Sequence, residues 1–318
     1  MLPPMKAVGD SSEAIAAFWR WWHEVHGRIE QAIEGRAWTD ELVEEITAHV
    51  LALDESLAWA ACPGQKARHA FCVSTAGNPA LRTLTERWRR AGCDDDLWEF
   101  HGARLASPGI AVMVGDLLVD PKAIRIAFTV DPARERVDVT VYHPGFAEMP
   151  DEMRQAAAMV ALESAFGEDG VERWIGWVDV ATAEPQGAFG LAELDAAVAA
   201  LAQTATGEKF ALLEGEDEGG QPVFVAVNQA AKRVDHVLFD QHVELEIEAD
   251  DAREDAIIAQ VGAAALFVAH ETVGRTRWLH FYAPTESLPR FESLGVPARF
   301  AADPTWQTLS CFTDALRQ

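Results

Sequence analysis

Histidine and carboxylate spacing offers the first candidate for chemistry. In His23-Glu24-Val25-His26, followed by Glu30, the residues His23, His26 and Glu30 stand at i, i+3 and i+7. That spacing puts them on one face of a helix, as metal ligands stand on bundle helices. The second histidine comes one residue too early for the H-E-x-x-H pattern of metalloproteases, and no fourth ligand declares itself. The competing reading is a Trp- and His-rich helix packed on a sheet, with His23 near the surface. No metal and no other cofactor is expected from this pattern.

Nucleophile arrangements give less. The chain has no G-x-S-x-G, no Walker loop and no G-x-G-x-x-G. Ser74, Ser310 and Cys72 sit in no context that points to an activating base. No catalytic residue is assigned, although one sequence leaves a scattered triad open.

Binding is better represented. Eleven tryptophans are many for 318 residues. Trp22, Trp174 and Trp177, with Trp19, Trp59 and Trp98, fall in expected elements among apolar neighbours. They could line an aromatic cleft where a small molecule stacks, or they could simply be core, since each buries a large area. Gly274-Arg275-Thr276-Arg277 is a basic hairpin tip in an acidic chain. Arg275 and Arg277 could present planar forks to a partner's carboxylate or phosphate. Alternatively, Glu271 or the acidic strand at 244–248 neutralises them locally. Glu244, Glu246 and Glu248, continued by Asp250 and Asp251, form the complementary row. It is either an ordinary wet strand face or a negative stripe that steers a basic partner.

Composition narrows the class. Hydrophobic residues make up 49%, enough for a core, and the net charge is −25. Such acidity disfavours direct contact with nucleic acid or anionic membrane and favours basic protein partners. No apolar run reaches the roughly 18–20 residues of a membrane span, and residues 1–6 show no apolar leader. The cysteines at 62, 72, 93 and 311 lack C-x-x-C or framework spacing, which suits reduced thiols in the cytoplasm. Oligomeric state is not readable.

The elements that must position these groups follow from periodicity. A helix over 14–35 carries Ile15, Phe18, Trp22, Val25, Ile29 and Ile33 at helical spacing, and a second starts at Thr39-Asp40. Strands are expected at 57–62, 69–75 and 97–105, with a helix between Asn78-Pro79 and Gly92. A hairpin joins 124–130 to 137–142, a helix runs from Pro150-Asp151 to Gly167, and a strand at 171–181 is long enough to be central. Helical spacing of Leu191, Leu194, Val198 and Leu201 closes a first domain, 1–206. In the second, 207–318, a leading hairpin (210–214, 223–228) precedes strand 243–248, helix 251–262, strands 266–268 and 278–282, a short helix with Leu288, Phe291 and Leu294, and a last strand at 306–312. That order, β-α-β-β-α-β, predicts a ferredoxin-like sandwich, so the chain reads as α+β, two domains of mostly antiparallel sheet with packed helices.

Phe18-Trp19-Arg20-Trp21-Trp22, Val73-Ser74-Thr75-Ala76-Gly77-Asn78, Asp120-Pro121-Lys122-Ala123-Ile124, Val141-Tyr142-His143-Pro144-Gly145-Phe146 and Ala165-Phe166-Gly167-Glu168-Asp169-Gly170 resemble a family of uncharacterised bacterial proteins over residues 14–183. From Gln221-Pro222-Val223 through Gly274-Arg275-Thr276-Arg277-Trp278-Leu279-His280-Phe281-Tyr282, the chain resembles the domain of unknown function numbered six hundred and ninety-five. That group is similar in turn to RraB-type acidic protein inhibitors of ribonuclease E. Neither resemblance supplies catalytic residues. The second implies that such a sandwich acts by binding a protein. The expectation is a non-catalytic acidic cytoplasmic protein that binds and regulates a basic protein partner. The alternative is a small-molecule or enzymatic domain with a Trp-lined cleft in its N-terminal half.

Overall fold

The computed structural model describes residues 8–115 and 117–317, so residues 1–6, read above for a leader, lie outside it. The chain is α+β and divides into two compact units, Met1–Leu105 and Ala106–Gln318. Among the described residues no helix is long and apolar enough to cross a membrane.

In the first unit, α1 (Val8–Gly35) buries the stripe Ile15, Phe18, Trp22, Val25 and Ile29. Thr39 caps α2 (Asp40–Leu51) by accepting from the Leu42 N–H, and α2 buries Leu42, Ile46 and Val50. Strands β1 (Ala58–Pro63) and β2 (His69–Ser74) are antiparallel. After α3 (Arg82–Ala91), β3 (Trp98–His101) joins β2 in parallel, because a helical crossover returns the chain in the same direction. β2 lies between the other two strands and is buried along its whole length. The expected strand at 97–105 is shorter than predicted, since side chains of α3 claim the Gly102 carbonyl: Thr85 Oγ1 donates to it at 2.7 Å, and Arg82 bonds it as well.

The second unit opens with the small hairpin β4 (Val112–Val114) and β5 (Leu117–Val119). Then β6 (Arg125–Asp131) pairs antiparallel with β7 (Arg136–Tyr142), α4 (Asp151–Trp174) crosses over, and β8 (Ile175–Ala181) joins β7 in parallel. β8 is therefore an edge strand rather than a central one, and residues 171–174 belong to α4. The helix does break at Gly167 (φ 71°, ψ 165°), as the sequence suggests, but the chain re-enters a helix immediately. Next, α5 (Leu191–Ala202) packs Leu194, Val198 and Leu201 against this sheet.

The remaining strands are β9 (Phe210–Glu216), β10 (Pro222–Asn228) and β11 (Gln241–Glu248). After α6 (Asp251–Val261) come β12 (Leu266–Val273) and β13 (Thr276–Ala283). Finally α7 (Leu288–Glu292), β14 (Ala298–Ala302) and α8 (Gln307–Asp314) end the chain. One antiparallel sheet results, in the order β14-β11-β13-β12-β10-β9. Residues 306–312, expected as the last strand, instead begin α8. The carboxylate of Asp303 accepts from the Gln307 and Thr308 N–H groups at 2.7 and 2.9 Å, satisfying donors that open a helix. One sheet face, with Val243, Leu245, Ile247, Leu279 and Phe281, packs on Ile257 and Val261 of α6 and Phe291 of α7. On the other, Val225, Val227 and Tyr282 pack under Trp306 and Leu309. β9 forms one margin of the sheet and leaves Phe210 and Leu212 exposed.

Residues 206 and 207, where the sequence suggests a domain boundary, are tied into this second unit. The buried carboxylate of Glu135 accepts from the Thr206 and Gly207 N–H groups at 2.7 and 2.9 Å. Lys232 Nζ donates to the Glu135 carbonyl at 3.0 Å and lies 3.8 Å over the Trp174 ring.

Candidate binding face

Strict alternation in β11 turns Val243, Leu245 and Ile247 inward and Glu244, Glu246 and Glu248 to the opposite face. The pairing with β13 sets His280 opposite Glu244, Trp278 opposite Glu246 and Thr276 opposite Glu248. On the far side of Trp278 stands Glu271 of β12. Directly opposite residues share a face about 5 Å apart. The half-buried Trp278 is thus flanked by Glu246 and Glu271 as direct neighbours, with Glu244 and Glu248 on the diagonals. α8 packs on the same face further along, where Phe312 meets His280 at 5.1 Å between rings, and leaves Glu246 and Glu248 exposed.

Charge on this face is unbalanced. Arg299 pairs with Glu244 at 2.9 Å and Arg275 with Glu248. Among the described residues, Glu246 and Glu271 make no salt bridge. Partial burial raises the Glu271 carboxyl above its ordinary value, and the neighbouring Glu244 charge raises it further. A surface cation placed over Trp278 would meet the ring face and up to four carboxylates.

Beside this patch, further along the same face, lie two buried polar pairs. His242 Nε2 and His280 Nδ1 are 3.1 Å apart, and Tyr282 Oη donates to Asp303 Oδ2 at 2.6 Å. Burial, with the charges of His242 and His270, pushes His280 down to about 3. Burial, together with the bond to Asp303, pushes the Tyr282 hydroxyl well up. Both rings therefore stay neutral at ordinary pH, closed off from solvent, which suits packing rather than proton transfer. An open groove of about 740 Å³ lies between the start of α4 and the end of β8, lined by Asp151, Glu152, Arg154 and Gln155. Its two carboxylates, Asp151 and Glu152, stand exposed.

The other residues singled out in the sequence are dispersed. Arg277 leaves the acidic face altogether: it lies against α6, bonding Asp251 at 2.8 Å and Glu254. Trp22 is buried among Phe71, Trp98 and Phe100, with ring centroids 4.8–5.2 Å away. Trp174 and Trp177 belong to the second unit, under Lys232 and Arg134 respectively. His23 is exposed and His26 half-buried. Trp278 and Glu271 escaped sequence reasoning as site residues. The Gly274-Arg275 turn already implied that they face each other, because a two-residue turn pairs Val273 with Thr276 and so Glu271 with Trp278.

Comparison with protein-family models gives no match, and comparison with curated proteins gives none. A solved structure, a conserved hypothetical protein from Aquifex aeolicus, is similar to part of the chain at 21% identity and a TM-score of 0.14. The likeness covers 36% of this chain and 58% of that one, and carries no argument about fold or function.

Proposed function

We propose that this protein is a non-catalytic binding protein whose acidic sheet face receives a basic segment of a protein partner. The observation that carries this reading is Trp278 set between Glu246 and Glu271, with Glu244 and Glu248 beside it. The carboxylates around this half-buried ring, among which Glu244 repels Glu271, are relieved when a lysine or arginine docks over it. The strand order β14-β11-β13-β12, with α6 and α7 on one side, supports the ferredoxin-like reading of residues 241–302. That architecture is in keeping with the resemblance to the RraB-type regulators, which act on a protein.

The test is a titration of the full chain with a lysine- and arginine-rich peptide, followed by tryptophan fluorescence. Binding should weaken about tenfold or more in Trp278→Ala, equivalent to about 1.4 kcal/mol. It should fade near 0.5 M salt, where the screening length drops to roughly 4 Å. Glu246→Gln/Glu271→Gln should weaken it as well, whereas a Glu214→Gln/Glu218→Gln control, equal in charge change but on the β9–β10 hairpin, should bind as the parent does. Equal affinity for the parent and Trp278→Ala would remove the support for this face.

A further inference from the structure

The carboxylates Glu30 and Glu34 stand at i, i+4 near the C-terminal end of α1, and His69 opens β2 beside them. One ligand atom from each of the three, a carboxylate oxygen of each Glu and a ring nitrogen of His69, lie within 4.8 Å of one another. His69 is 6% exposed, and its Nε2 is buried without a hydrogen-bond partner, a costly arrangement for a polar atom. Arg68 holds its guanidinium against both carboxylates, 2.5 Å from Glu34 and 3.7 Å from Glu30, while staying 59% exposed. A cation is therefore already drawn to this spot. The C-terminal end of a helix, with its free carbonyls, favours positive charge there as well.

We propose that Glu30, Glu34 and His69 form a binding site for a divalent first-row transition metal. An imidazole among carboxylates suits zinc, cobalt or iron better than calcium or magnesium, which take oxygen alone. Ligands at about 2.0–2.2 Å from such an ion stand about 3.3 Å apart, so rotamer adjustments of the two glutamates close the set. Arg68 swings to solvent as the metal enters, since the ion supplies the charge the guanidinium had provided. Three protein ligands leave at least one position for water. Of the three residues first suggested by helical spacing, only Glu30 takes part. This site lies in the first unit and is independent of the proposed sheet face.

The test uses the full chain, stripped with chelator and kept reduced, titrated calorimetrically with zinc and spectroscopically with cobalt. One ion should bind per chain. Glu34→Gln, on an exposed residue, and His69→Gln, checked for folding by its melting curve, should each weaken binding by about tenfold or more. His23→Gln should leave it unchanged. Arg68→Ala should bind several-fold more tightly, because a competing cation is gone. The ring of His69 lies 5.1 Å from Trp98, so cobalt should quench Trp98 fluorescence in the parent and not in Glu34→Gln. Absence of binding in both the parent and Arg68→Ala, binding that survives Glu34→Gln intact, or a thiolate charge-transfer band that assigns the ion to cysteine would each overturn the proposal.

Discussion

Glu99, on β3, collects the backbone N–H groups of Gln65, Lys66 and Ala67 at 2.7, 2.8 and 3.0 Å and lies 3.0 Å from His101 Nε2. Burial opposes the charge, but these donors overcome it and hold the carboxyl down at about 2, from 4.5. The unfolded chain therefore takes up this proton first. The stabilisation is complete above about pH 4.5 and is lost as pH falls toward 2, amounting to about 3 kcal/mol. Glu99→Gln should lose a comparable amount at pH 7 and show a flatter acid limb, measurable by urea denaturation across pH. Glu271 has the opposite sign, because its carboxyl is raised. Ionisation costs the folded state, so stability falls as pH rises through the shifted value. Glu271→Gln should stabilise the protein by roughly 0.5 kcal/mol at pH 7 while weakening the basic peptide. A variant that loses stability would contradict the crowding of Glu244 and Glu271. The glutamate row itself was readable from period-2 alternation. Its convergence on Trp278 was not, because the register of β11 against β13 is set by contacts some 30 residues apart in sequence.

Gly167 takes φ 71° and ψ 165°, a region essentially closed to residues with a Cβ, and it is fully buried in the bend of α4. Gly167→Ala should cost about 2 kcal/mol, seen as a lower urea midpoint with an unchanged slope. No loss at all would mean that the bend relaxes without strain. Elements of this kind also mark where the sequence was and was not informative. The β6–β7 hairpin, with its alternating face, declared itself through period-2 spacing, and β12–β13 through the turn at Gly274. The misreadings have different causes, local for two segments and a distant partner for the third. The segment 306–312 reads as a strand until Asp303 is seen to cap α8. β14 is too short and Ala-rich to announce itself and exists by pairing with β11. Residues 171–174 look extended because Trp174 and Val171 are large or branched, yet the helix resumes there after the glycine.

The two compact units predict how the whole chain tolerates cutting. A chain severed between Leu105 and Ala106 should give pieces that each retain cooperative melts. Severing at 206/207 should abolish folding of the second unit, because it disrupts donors to Glu135, a buried carboxylate. The same unit carries an alkaline signature. Burial, with the charge of Arg136 next, depresses Lys232 to about 8. The unfolded chain then holds this proton more tightly between about pH 8 and 10.5, so stability should rise across that window, and Lys232→Met should remove the rise. The exposed margin at β9 sets handling limits of another kind. Phe210 and Leu212 offer a neighbouring molecule an apolar edge with unpaired backbone groups, and the net charge of −25 opposes the approach of a second copy to it. Near pH 4.7 the repulsion vanishes. Turbidity should set in there first, and a charge placed on the apolar edge, as in Leu212→Lys, should delay it.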